Sequence, residues 1–272
     1  MGNKRCLVLI KEVPGEDDIK IDENSWTIKR GIGVINIYDY VAIDLALELK
    51  KEGYLIEVLT MGPLTSKRII RFCLSLGFDK GYIVTDPIFA GSDTLATSTV
   101  LAESIKYIGV PDIILTGNHS FDGGTGHVPL QIGQILGINS FSNVNSLNIK
   151  DNDLAEIITE LDEKYIIESS FPFILSLSLK EISIKLPRAR DYFSDYQITE
   201  IDNSRLNVNP LIVGLNGSPT KVVNIKPYIS NRIKNINYFT KKEIKTLSDY
   251  IKRGISPFTF TLIIEALLVF FG

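Results

Sequence analysis

Cysteine is almost absent from this sequence: Cys6 and Cys73 are the only two among 272 residues. Neither belongs to a CxxC pair or to any metal-ligand spacing, which excludes a disulfide framework and a thiolate zinc site. Both read as small buried hydrophobes in a reducing compartment, Cys6 in a strand-like run and Cys73 on an apolar helix face. Histidine is as scarce, with His119 and His127 alone, and no HExxH, GxSxG or paired cysteine accompanies them. Catalysis by side chains therefore has no candidate residue, and no metal ligands are assigned. A hydrolysing phosphate loop is missing too, because no GKS or GKT follows the glycines to supply its lysine and metal-binding hydroxyl. What is left is nucleotide binding without hydrolysis.

Charge of one sign is also lacking. The net charge is −3, with lysine and arginine scattered along the chain, so there is no electrostatic footprint for nucleic acid or an anionic membrane. No apolar run reaches the roughly 18 to 20 residues that span a bilayer. Phe258 to Phe271 is the longest, is interrupted by Glu265, and reads as a segment buried against a partner, with no stable membrane insertion. The apolar stretch near the start ends at Lys11 and Glu12, too short for a secretory signal. These features together predict a cytoplasmic protein.

Hydrophobic residues make up 44% of the chain, enough to fill the core of one large domain. Strand-like runs at Cys6 to Ile10, Ile56 to Thr60, Tyr82 to Val84 and Ile113 to Thr116 alternate with helix-like segments. Positions 38, 41, 42, 45, 46 and 49 share one helical face before Gly53, and Ile69, Phe72, Cys73 and Leu76 repeat the pattern before Gly77. This alternation predicts an α/β fold, a Rossmann-like doubly wound and mostly parallel sheet of the adenine-nucleotide-binding type with a C-terminal arm. The expected division is a nucleotide-binding domain over 1–195 and an arm over 196–272 that packs on a partner. Within it, Ile157 to Leu161 and Ile166 to Leu179, interrupted by Pro172, suggest a hairpin or an added edge pair, and Lys241 to Lys252 a lysine-rich helix.

In such sheets ligands sit beyond the carboxyl ends of the strands, where loops run into helix N-termini whose free amides attract phosphate. Two glycine-bearing loops fall at these places. Ala90-Gly91-Ser92-Asp93-Thr94 opens a helix with Asp93 as its cap, and Asp122-Gly123-Gly124-Thr125-Gly126 follows the strand ending near Thr116. Neither loop is specific by itself.

Taken in order, these segments resemble the beta subunit of electron transfer flavoproteins along nearly the whole chain. Leu9-Ile10-Lys11-Glu12-Val13-Pro14 is similar to the family's IKxVP opening. Asn36-Ile37-Tyr38-Asp39, running on to Ala42, Ala46 and Leu47, resembles NPYDxxALxxAL with Ile37 in place of the usual proline. Thr60-Met61-Gly62-Pro63 resembles SMGP, and Ala90 to Ser98 resembles AGADTLATS. The loop from Gly117 to Gln131 is similar to GxQAxDGDTAQVGPQ, with Gly124 replacing an acid and His127 a glutamine. Pro129 there is suited to a helix's first turn. Val213-Gly214-Leu215-Asn216-Gly217-Ser218-Pro219-Thr220-Lys221-Val222 resembles VGLxGSPTxV and is the strongest single match.

The resemblance implies a heterodimer with a larger alpha subunit that passes electrons between dehydrogenases, of acyl-CoA dehydrogenase type, and an acceptor, with flavin-based bifurcation as one mode. It implies cofactor contacts at Leu9, Asn36, Tyr38, Asp39, Met61, Asp93, Thr94, Thr97, Gly117, Asp122, Gly123, Thr125, Gly126 and Val128. Either FAD, shared with the alpha subunit or bound in this chain, or AMP in a structural role would occupy them; the Asp93 and Ser218 motifs resemble the branch that uses FAD. Leu186, in Lys185-Leu186-Pro187-Arg188, would meet the dehydrogenase partner, although the family's basic stretch after that leucine is missing. An adenine-nucleotide-binding regulatory module without electron transfer is the alternative. An ATP-dependent activating enzyme ranks last, because Lys11 to Asp17 offers no SGGxDS-like loop.

Overall fold

The computed structural model describes residues 4–15, 20–22, 27–29, 33–150, 154–160, 162–179 and 185–220. The chain divides into two compact units, Met1–Asn224 and Ile225–Gly272. The expected helix at 241–252 and the apolar stretch at 258–271 lie outside the described residues.

β1 (Arg5–Leu9) opens the chain and leads into two small ribbons, β2 (Glu12–Val13) paired with a later β5 (Val34–Ile35), and between them β3 (Lys20–Asp22) paired with β4 (Thr27–Lys29). α1 (Asp39–Lys51), β6 (Leu55–Met61), α2 (Lys67–Ser75) and β7 (Lys80–Val84) follow as regular crossover units. α3 (Thr94–Ile108) then carries the chain back to β8 (Ile113–Gly117), on the other side of β1. After α4 (His127–Leu136) come β9 (Asn139–Ile149), the antiparallel hairpin of β10 (Leu154–Glu160) and β11 (Lys164–Ser170), and β12 (Phe173–Leu177). Short α5 (Ala189–Tyr192), β13 (Ile198–Ile201), α6 (Asn203–Leu206) and α7 (Gly214–Gly217) complete the described chain.

One nine-stranded sheet organises these elements, in the order β11-β10-β9-β12-β8-β1-β6-β7-β13. All pairs from β9 to β13 are parallel; β10 and β11 are antiparallel additions at one edge. The doubly wound expectation is met. α1 and α2 cover one face, over Cys6, Val8, Ile56, Val58 and Leu115; Val100, Ile105 and Ile132 of α3 and α4 cover the other, over Leu7, Leu9, Leu59 and Ile114. Because both faces are covered, the inner strands read as continuous apolar runs without alternation. β1, β8 and β12 are buried almost throughout.

Three features depart from the sequence pattern. β9 carries a polar sequence, NSFSNVNSLNI, and most of its residues remain partly exposed; such a strand is held by its neighbours, not by propensity. The apolar run around Pro172 is two strands, β11 and β12, lying three places apart in the sheet. Residues 198–201, placed by sequence in the arm, form the sheet's edge strand β13, and Ile201, Val208 and Val213 join the apolar core against α3.

Candidate functional site

β1 and β8 are neighbours whose connections leave in opposite directions, one toward β6 and the other through α4 toward β12 and β9. This is the switch point where an open α/β sheet parts its loops and leaves a crevice. A cleft of about 110 Å³ lies there. Its floor is Leu9, Ile10 and Lys11 from the end of β1 and Thr116 and Gly117 from the end of β8. Its walls are Leu101 of α3, the loop at 118–120, and Thr125, Gly126, Val128 and Pro129 at the head of α4.

Two buried polar side chains hold this geometry. Asn36 donates through Nδ2 to Asp39 Oδ1 at 2.9 Å and to the His119 carbonyl at 2.9 Å, while its Oδ1 accepts the Phe121 amide at 3.1 Å. Asp39 Oδ2 accepts the Lys11 amide at 2.7 Å. The end of β1, the start of α1 and the β8–α4 loop are thereby tied to one another. Burial pushes the Asp39 carboxyl up to about 7, opposed by the hydrogen bonds from the Lys11 amide, Asn36 and the Gly117 amide. Because the folded value lies above the ordinary one, the stability contributed by the neutral acid is present at low pH and is lost as pH rises through about 7. An Asp39→Asn protein, which cannot ionise, should show a flatter melting temperature between about pH 5 and about pH 8 than the parent. Parallel profiles for the two proteins would contradict this.

The β8–α4 loop is built for close approach. Gly126, at φ 64°, is the N-cap of α4, and no side chain caps the helix. The N-cap glycine offers no side chain to the first-turn amides of His127 and Val128 at the cleft wall, Pro129 having none, an arrangement that favours an anion. Lys11 stands at the other side, its Nζ 2.6 Å from Asp122 Oδ1 and 3.3 Å from Ser120 Oγ. Tyr38 packs on the His119 ring with centroids 3.8 Å apart.

Of the residues expected to contact a cofactor, Leu9, Asn36, Asp39, Gly117, Thr125, Gly126 and Val128 line the cleft. Tyr38 and Asp122 stand one contact behind it, through His119 and Lys11, and Gly123 is on the exposed tip of the same loop. Met61 ends β6, packed against the core on the α3 face. Thr94 and Thr97 are half-buried on α3, at positions seven and four before Leu101 and so on its side of the helix. Leu186 is 79% exposed.

Asp93 is committed elsewhere. It caps α3 by accepting the Ala96 amide at 3.0 Å, and its other oxygen accepts the Thr220 amide at 2.9 Å and hydroxyl at 2.7 Å. Its own amide donates to Ser218 Oγ at 2.8 Å, and the Gly214 amide donates to Ser92 Oγ at 2.9 Å. The AGSDT and GLNGSPT motifs are thus one interlocked unit that pins residues 214–220 to the head of α3. Ile10, Lys11, Asn118, His119, Ser120 and Pro129 were not among the expected cofactor contacts, although they sit inside the quoted motifs; Leu101 carries no local signal.

Among the described residues no helix is long and apolar enough to cross a membrane, and no group of three or more His, Cys, Asp or Glu is arranged to hold a metal ion. The family model described as electron transfer flavoprotein domain matches residues 25–189. The chain is 34% identical over 227 residues to the caffeyl-CoA reductase-Etf complex subunit CarD of Acetobacterium woodii, covering 80% of this chain and 86% of that protein. It is 32% identical over 257 residues to an electron transfer flavoprotein subunit beta of Thermoanaerobacterium thermosaccharolyticum, covering 85% and 97%. Protein FixA of Azotobacter vinelandii is 33% identical over 228 residues, covering 79% and 81%.

Proposed function

Since the chain belongs to the electron transfer flavoprotein family, we propose that it is the family's beta subunit and that its switch-point cleft holds the adenylate part of a nucleotide cofactor. The names of its relatives favour electron transfer with an alpha partner over a regulatory module. The observation that carries the cleft assignment is the glycine-led, uncapped N-terminus of α4 facing the ends of β1 and β8.

The residues present fit such a group. The His127 and Val128 amides at the head of α4 would take the phosphate. Gly126 lets the backbone come close, since a side chain there would need a left-handed conformation. Leu9, Ile10, Leu101 and Val128 would exclude water from the sugar and base. The enclosed volume, about 110 Å³, is small beside typical ligand sites of roughly 300–1,000 Å³, so this chain would grip only part of the cofactor. Thr94 and Thr97 extend the Leu101 side of α3 by about 10 Å, a length that suits FAD; AMP is the shorter alternative. When bound, the flavin supplies the redox chemistry, and the protein supplies binding and orientation.

In this reading the C-terminal extension, expected from the sequence over 196–272, meets the alpha subunit, Leu186 faces a dehydrogenase of acyl-CoA type, and bifurcation is one available mode. It carries with it a cytoplasmic location, in keeping with two buried, unpaired cysteines. Co-expression with the alpha partner should yield a yellow heterodimer, and denaturing extraction should release flavin together with any AMP. A colourless pair containing no adenine nucleotide would refute the proposal.

A further inference from the structure

Five exposed apolar side chains gather at the head of α3. Leu211 is 79% exposed, Leu215 58% and Ile212 50%, and Ile88 and Leu95 stand open beside them. They form one surface. The 3₁₀ turn at Pro210–Ile212 packs on α7, and the Leu215 amide of α7 donates to the Ala90 carbonyl at 2.9 Å. A Cβ on Gly91 would stand 3.0 Å from Leu215 Cβ, and one on Gly214 2.0 Å from the Ile88 carbonyl oxygen, so α7 is seated on the segment that leads into α3. The core cannot take these side chains in. Phe89 and Val213, which alternate with them along the chain, are the residues turned inward, and the bonds of Ser92, Asp93, Ser218 and Thr220 fix the backbone around them. Charge is missing too: Asp93 is the only charged residue between Pro87 and Ala102, and Asn207 to Thr220 contains none. A rigid, uncharged apolar patch has the make-up of the buried centre of a permanent interface. Leu186 and Phe193, also exposed, stand instead among Arg188, Arg190 and Asp191.

We infer that this patch is where the alpha subunit is anchored, an inference that rests on the reading of the chain as one of two subunits sharing a cofactor. The cleft selects that partner over a second copy of this chain. It grips only part of a nucleotide, so the remainder is held by a polypeptide standing beside it, and a second copy would bring the same partial cleft without the complementary half. Leu95 lies six residues before Leu101 of the cleft wall, on a different flank of α3 from Thr94, Thr97 and Leu101. A subunit seated on the patch therefore stands one helix width, about 10 Å, from the side of α3 that the nucleotide reading uses. The contact is not confined to the C-terminal extension, because Ile88 and Leu95 belong to the sheet domain itself.

The test uses the full-length chain co-expressed with its alpha subunit, with the heterodimer's Kd measured by sedimentation over a dilution series. Leu211→Ser should weaken the heterodimer by roughly 10-fold, and Leu211→Ser combined with Leu215→Ser by roughly 100-fold. Tyr107→Ser, 50% exposed near the far end of α3, should leave the Kd at the parent's value. All three lone chains should melt with the parent, since these side chains stand largely outside the fold. A double variant that binds the alpha subunit as tightly as the parent does would overturn the inference. The lone chain would then tell what covers the patch: lost self-association names a second copy, and a lowered melting temperature names the chain's own remainder. A parent chain that forms no heterodimer at all would overturn the subunit reading as well.

Discussion

Gly117→Ala should abolish the nucleotide binding proposed for the cleft and lower stability by about 1–3 kcal/mol, the usual cost of overpacking a well-filled site. Gly117 ends β8 where the start of α1 crosses it. An added Cβ would stand 2.6 Å from Asp39 Oδ1 and 2.7 Å from both the carbonyl carbon and oxygen of Tyr38. Two of those atoms are backbone, so no rotamer change relieves the contact. α1 cannot retreat easily, because Ala42, Ile43 and Ala46 are packed against the sheet. The strand and helix would have to part, spoiling the Gly117 amide's bond to Asp39 and the cleft floor together. Gly123→Ala is the control: its Cβ would meet only Ser120 Oγ, at 3.1 Å, and nucleotide content and melting temperature should stay close to the parent's. A Gly117→Ala complex with a full complement of nucleotide and an unchanged melting temperature would remove the steric argument.

The second large effect is expected at Asn36. Its side chain is 1% exposed and makes three hydrogen bonds that join α1 to the β8–α4 loop. Replacing it with alanine leaves the Phe121 amide, the His119 carbonyl and one oxygen of Asp39 short of partners. At about 1–3 kcal/mol for each group left buried and unpaired, and with partial relaxation, Asn36→Ala should cost on the order of 2–5 kcal/mol. Asn36→Asp should be at least as damaging. It keeps an acceptor for Phe121 but turns an oxygen toward Asp39 and the His119 carbonyl, where a donor is required. Denaturant unfolding of the two variants should move the midpoint while leaving the slope unchanged. Equal stability of Asn36→Asp and parent would mean that the brace is not what holds the loop. Both variants should also bind nucleotide more weakly, because the loop they release carries the head of α4.

Much of the architecture was legible before any coordinates. β1, β6, β7 and β8 announce themselves as apolar runs, since strands covered on both faces have no polar side to show, and α1 and α2 carry a one-sided apolar stripe that ends at glycines. β9 was invisible because its polar residues face partly into solvent and its place is decided by β12 and β10 on either side. The separation of β11 from β12 was equally hidden: Pro172 marks a break, but a break does not say how far apart the two halves go.

The candidate site divides in the same way. Glycine-bearing loops at strand ends follow from local sequence, because the chain must turn there and phosphate needs free amides at a helix start. Which of their polar side chains face a ligand does not follow. Asp93 and Asp39 both stand where a connection runs into a helix, yet one is consumed in pinning Thr220 to α3 and the other in joining Lys11 to α1. Periodicity and turn chemistry act over a few residues, and so the chain alone determined an α/β sheet with nucleotide-type loops at its strand tips. Hydrogen bonds between residues 83, 85 and 127 positions apart exist only once the sheet has assembled. Tertiary structure therefore decided which side chains became braces.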